Sequence, residues 1–158
     1  MACRHPGDSY TWDTAQMMKL KAQQVFDATQ VLARIINENR ALPSKGKYRI
    51  ARMHAKLFPE FTTANEQRTA KIASYDHKAW VTPEGRIVPA EEGGDAKATE
   101  QAAVPDDKMA EFVAWWAEIA AVEIDVNVEP IPIEQLSIDG LDSSISYAEF
   151  ATLGELVG

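Results

Sequence analysis

The chain has 158 residues, 46% of them apolar and 25% charged, with a net charge of −8. That composition belongs to globular proteins and excludes a disordered one, and the length fits one domain, or one domain with a small appendage, around a real core. A single cysteine, Cys3, excludes an internal disulfide framework. No apolar run approaches the roughly 20 residues that cross a bilayer, and Met1–Gly7 has no hydrophobic signal core.

In chain order, residues 1–13 contain Pro6, Gly7, Tyr10 and Trp12 without periodicity and are expected to form a flexible N-terminal arm. From Thr14 to about Asn39 there is no Pro or Gly. Met18, Val25 and Leu32 recur at seven, with Ala28 and Ile35 between them, which predicts one long amphipathic helix capped by Asp13 or Thr14. Leu42-Pro43 stops it. A second helix is expected from Ser44, with Ile50, Met53, Leu57 and Phe58 on one face and a break or fresh start at Pro59-Glu60, because an interior proline costs a helix about 3 kcal/mol. The pattern then resumes through Phe61, Ala64, Arg68, Ile72 and Tyr75 to about Lys78.

Residues 79–82 and 86–88, around Pro83-Glu84-Gly85, read as a small β-hairpin. The stretch 90–103, centred on Gly93-Gly94, reads as a mobile loop. A third helix follows from Asp106-Asp107, taken as N-cap and first-turn acids, through Phe112, Trp116 and Ile119. Ile124, Val126 and Val128 alternate with polar residues as in a half-buried strand, and Pro130 and Pro132 confine Ile131 to a sheet edge or extended tail. Residues 146–156, introduced by Ser143-Ser144, close the chain as a short helix. The expected fold is therefore α+β and predominantly helical: a long antiparallel helical hairpin, a third helix, a small β-hairpin and an edge strand near the C-terminus. Residues 14–158 are expected to form a single domain.

Charge is distributed unevenly. Residues 1–60 hold ten Lys/Arg against five Asp/Glu, or +5, and residues 61–158 hold six against nineteen, or −13. Lys45, Arg49, Arg52 and Lys56 recur at three and four and form a basic face beside Tyr48. Such a face suits an acidic protein surface, a second copy of the chain, an anionic small molecule or phosphates. The overall charge of −8 and the lack of aromatics interleaved with the cations argue against nucleic acid. Trp115 and Trp116 are about 100° apart on a helix and do not both face one core, so an outward tryptophan is a further candidate contact, as are Tyr10 and Trp12 in the arm.

Catalytic signatures are missing from the pattern. His5, His54 and His77 are scattered, Gly93-Gly94 lacks phosphate-loop spacing, and the adjacent pairs Glu91-Glu92 and Asp106-Asp107 diverge around the backbone. The chain is thus expected to be no enzyme, with neither cofactor nor metal.

Leu42-Pro43 before Tyr48-Arg49-Ile50-Ala51-Arg52, then Glu66, Arg68, Lys71-Ile72 and Tyr75, then Val104-Pro105 and Phe112 ahead of Val122-Glu123-Ile124-Asp125, form a series of spaced positions. Ile131-Pro132-Ile133 and Ser146-Tyr147-Ala148-Glu149 ahead of Leu153 continue it. The series resembles a class of small helix-rich proteins of unassigned role encoded among the virion and assembly genes of tailed bacteriophages and prophages. The resemblance carries no site residues. It implies a structural or assembly accessory protein whose partners are other virion or phage proteins or the chain itself, without membrane contact. Its location would be the host cytoplasm or the assembled virion, with no secretion through a signal peptide. An inhibitor or sponge of host defence, binding an anionic small molecule or host protein, is the alternative, and nucleic-acid binding through the basic face is a second.

Overall fold

The computed structural model describes residues 17–94, 97–137 and 144–158. The architecture is α+β, with four α-helices and two small antiparallel sheets among the described residues: β1 (Met17–Lys21), α1 (Ala22–Asn37), α2 (Ser44–Ser74), β2 (Lys78–Val81), β3 (Ile87–Val88), β4 (Thr99–Ala102), α3 (Met109–Ala120), β5 (Glu123–Asn127) and α4 (Tyr147–Leu153). The described residues group into two compact units, one made of those up to Thr63 and from Ala120 on, the other of Ala64–Ile119, where the sequence suggested one domain. The proposed arm and the Asp13/Thr14 cap lie outside the described residues.

The first unit begins with a correction. Met17–Lys21, expected as the first turns of the long helix, is a strand paired antiparallel to β5, with Met18 opposite Val126 and Leu20 opposite Ile124. Met18 satisfies both a heptad and a period of two, and the strand prevails because Leu20 is buried against the sheet's inner side while Lys19 and Lys21 stand opposite Asp125 and Glu123. Helix α1 then starts at Ala22, with the Gln24 side chain accepting from the Lys21 N–H (2.9 Å). Val25, Ala28, Leu32 and Ile35 are buried as the spacing predicts. At the far end Asn39 takes a left-handed φ of 46°, and the Arg40 and Asn39 N–H groups donate to the Ile35 and Ile36 carbonyls. This is a Schellman closure with asparagine where glycine usually stands.

Leu42 is buried in the link, and α2 buries Gly46, Ile50, Met53 and Leu57. Phe26, near the start of α1, meets Phe61 along α2 at 4.9 Å, so the chain folds back on itself as a helix pair. The break expected at Pro59 does not occur: α2 runs unbroken over 31 residues with Pro59 inside. Its ring removes one donor, and the Thr63 hydroxyl donates to the Pro59 carbonyl (3.0 Å). The core of this unit also takes Val126, Val128, Ile131, Leu136, Ile145, Leu153 and Leu156. Ile131 forms a parallel bridge with Val157, which answers the expectation of an extended edge between Pro130 and Pro132.

In the second unit β2 and β3 form the expected hairpin, with Trp80 opposite Val88 and Gly85 at a φ of 86° in the turn. The stretch 90–103 is not simply a loop. It holds a 3-10 turn at Ala90–Glu92 and β4, which pairs with β2 from Lys78↔Ala102 to Val81↔Thr99. Thr99 to Ala102 carries no apolar alternation, so the strand is held by backbone pairing and gives no hydropathy signal. Ahead of α3, Asp106 and Asp107 lie inside a 3-10 turn that follows Pro105, and neither caps a helix by its side chain.

A cationic groove as the candidate functional site

The buried stripe of α2 fixes the position of its basic stripe. Gly46, Ile50, Met53 and Leu57 face the core, and Lys45, Arg49, Arg52 and Lys56 each precede one of them, so the four cations lie along the rim of the buried face. The opposite wall comes from the chain after β5, where Val128 is buried and Glu129 exposed, and from the 3-10 turn Ile133–Leu136, which supplies Gln135. Hydrogen bonds from the Ile131 N–H to the Leu156 carbonyl (2.9 Å) and from the Gly158 N–H to the Ile131 carbonyl (3.0 Å) hold that wall. Gly46 sets the approach of the two walls, because a Cβ at this position would lie 1.9 Å from the Gln135 carbonyl oxygen.

The resulting groove has a volume of about 510 Å³. Met53 and Val128 contribute apolar lining, and Tyr48, 65% exposed, stands at its edge. Four cations face one carboxylate. Arg49 pairs with Glu129 at 3.5 Å, and the Lys56 ammonium donates to the Asn127 carbonyl at 2.8 Å. Lys45 and Arg52 are exposed and have no side-chain partner among the described residues. Gln135 Oε1 is buried without a hydrogen-bond partner there. Chemically the arrangement suits an anion: the Arg52 guanidinium offers a planar fork to a carboxylate or phosphate, Lys45 a point charge, and the concave wall strengthens both relative to open water.

The structure therefore brings together Lys45, Arg49, Arg52 and Lys56, and it treats the other candidates differently. Tyr10 and Trp12 lie outside the described residues. Trp115 and Trp116 belong to the second unit, and both are half-buried. The Trp115 ring packs on Phe112 (5.8 Å) and Trp116 (6.2 Å), the Arg68 guanidinium lies 6.0 Å from the Trp116 centroid, and the Lys71 ammonium lies 5.7 Å from that of Trp115. Cations from α2 thus cap the tryptophan pair within that unit. Glu129 and Gln135 were not legible as site residues, because nothing in local spacing says which distant segment will face a helix. Among the described residues no three His, Cys, Asp or Glu side chains gather as a metal site, and no helix is long and apolar enough to cross a membrane.

A second concavity of about 410 Å³ holds a charge cluster of another kind. Glu149, buried, accepts from Arg40 and from the Ser146 N–H (3.0 Å), with Arg34 at 3.7 Å. Its own N–H donates to the Ser146 hydroxyl (3.2 Å), which completes a capping box on α4. The Arg40 hydrogen bond, partly opposed by burial, holds the Glu149 carboxyl down to about 2. Both hydrogen bonds fall on Oε1, while Oε2 is buried without one among the described residues and has only Arg34 at 3.7 Å; the charge is thus paired by two arginines of the same unit, and the cluster ties elements together.

No family model matches the chain, and neither a curated protein nor a solved structure shows significant similarity to it.

Proposed function

We propose that this is a non-enzymatic accessory protein of the tailed-phage type, a structural or assembly component that acts through protein–protein contacts in or around the virion. One observation carries the binding part of this reading: Lys45, Arg49, Arg52 and Lys56 line a single concave groove with apolar lining and an exposed tyrosine. Apolar contact combined with charge selects an acidic protein surface, since charge steers the encounter and desolvated side chains hold it. The phage assignment draws its support from the spaced motif series of the sequence. Nucleic acid is disfavoured by the overall charge of −8.

The test is a photo-cross-linking residue placed at Tyr48 in cells producing the phage or prophage, with a control at Tyr147, which is 95% exposed elsewhere. The expected result is a protein adduct at Tyr48 that disappears when Arg49→Glu and Arg52→Glu are added. Adducts to nucleic acid alone, or none, would overturn the reading. A second reading, capture of an anionic small molecule, is favoured by the groove volume of about 510 Å³, inside the range of roughly 300–1,000 Å³ that accommodates small ligands. Native mass spectrometry of protein from infected cells distinguishes it by a co-purifying anion.

A further inference from the structure

We infer that the groove receives the acidic face of α3 from a second copy of this chain, giving self-association. The inference rests on the reading of the groove as a protein-binding surface and names its occupant.

The observation is a match of spacing and charge. The groove's cations lie at Lys45, Arg49, Arg52 and Lys56, offsets of zero, four, seven and eleven along α2. The same offsets counted from Asp107 fall on Glu111, Ala114 and Glu118, and all four residues are exposed. Asp107 stands in the 3-10 turn that leads into α3, so at about 1.5 Å per α-helical residue and about 2 Å in that turn both tracks are about 16–17 Å long. Because the set of offsets reads the same in either direction, the second helix fits antiparallel as well as parallel, and the chemistry selects antiparallel. In that register Lys45 meets Glu118, Arg52 meets Glu111 and Lys56 meets Asp107. Arg49 then faces Ala114, where no acid is needed, since Arg49 already pairs with Glu129 of its own chain (3.5 Å). The parallel register would leave Arg52 opposite Ala114 with no carboxylate at all. Every cation thus has one acid only in the antiparallel arrangement, which also opposes the helix dipoles. Ala110 and Ala114, both exposed, keep that face low enough to approach the rim. Tyr75 donates to Glu111 Oε2 (3.2 Å), which leaves Oε1 for Arg52.

Sedimentation velocity over a concentration series at low salt tests this on the full chain. The wild type is expected to associate, and to dissociate in 1 M salt, where the Debye length is roughly 3 Å. Lys45→Glu with Arg52→Glu, and separately Glu111→Lys with Glu118→Lys, should each weaken association by at least about tenfold through like-charge apposition. An equimolar mixture of the two variants should associate again, because each variant's groove then faces a complementary helix. Circular dichroism checks that the variants fold, and Lys45→Gln with Arg52→Gln serves if the reversal does not. A wild type that stays monomeric, or variants that associate unchanged, or a mixture that fails to recover, would overturn the inference. If cross-linking at Tyr48 meanwhile captures a different virion protein, the groove reading stands and only its self-docking fails.

Discussion

Replacing Glu149 with Gln probes the tie between α4, the end of α1 and the link that leads into α2. The introduced amide oxygen can still accept from the Ser146 N–H, so the cap survives, but Arg40 loses the Glu149 carboxylate while keeping Glu38 (2.7 Å) and its bond to the Ser144 carbonyl (3.2 Å). The folded carboxyl titrates at about 2, below its ordinary value of 4.5. A depressed pKa means the ionised group stabilises the fold above its unfolded value, and that stability is lost as pH falls from about 4.5 to about 2. After allowance for solvent screening the contribution is about 1–2 kcal/mol. Removing one member of a nearly buried pair adds the cost of a poorly compensated Arg40, so Glu149→Gln should lose about 2 kcal/mol at neutral pH. Urea unfolding followed by circular dichroism, repeated at steps down to about pH 2.5, should show the gap between wild type and variant narrowing across that window. A gap that stays constant into acid would refute the ionised pair as its source.

Gly46→Ala should destabilise the first unit by about 2–3 kcal/mol, although alanine is the better helix former by about 1 kcal/mol, because its Cβ would press on the Gln135 carbonyl; a neutral or stabilising result in thermal unfolding would mean the groove walls are not held at this distance. Replacing 90–103 with a short Gly linker should cost more than about 2 kcal/mol and shift tryptophan emission to longer wavelength, since it deletes β4 and uncovers Trp80, against whose ring Gly93 lies too closely for a Cβ; unchanged emission would show that this segment packs on nothing.

Much of the architecture was legible because it rests on period. Val25, Ala28, Leu32 and Ile35 gave α1 its buried face, the alternation of Ile124 and Val126 gave β5, and Pro83-Glu84-Gly85 gave the hairpin turn. The errors have physical causes. At Met17–Lys21 two periods overlap, and pairing with β5 decides between them. At Pro59 the lost donor is a local cost that the rest of a 31-residue helix carries. At Thr99–Ala102 a strand forms without apolar alternation because β2 offers a free edge. The site was half legible. Spacing alone put Lys45, Arg49, Arg52 and Lys56 on one face, but the wall that makes a groove of that face is a tertiary fact carried by Val128, Glu129 and Gln135.

The charge polarity of the sequence separates, in three dimensions, into two populations. The acidic C-terminal stretch folds into the same unit as the basic N-terminal half, so part of the opposition is satisfied internally by Arg40 and Arg34 on Glu149 and by Arg49 on Glu129. Arg40, with its side chain 15% exposed, is held on three sides, and its charge maintains the fold. Lys45 and Arg52 are exposed and receive no such compensation among the described residues. An unpaired surface cation costs little to keep, so stability does not require these two to be matched. Their alignment with Arg49 and Lys56 along one concave rim is therefore free of any demand from the fold, and it is the feature on which the proposed contact rests.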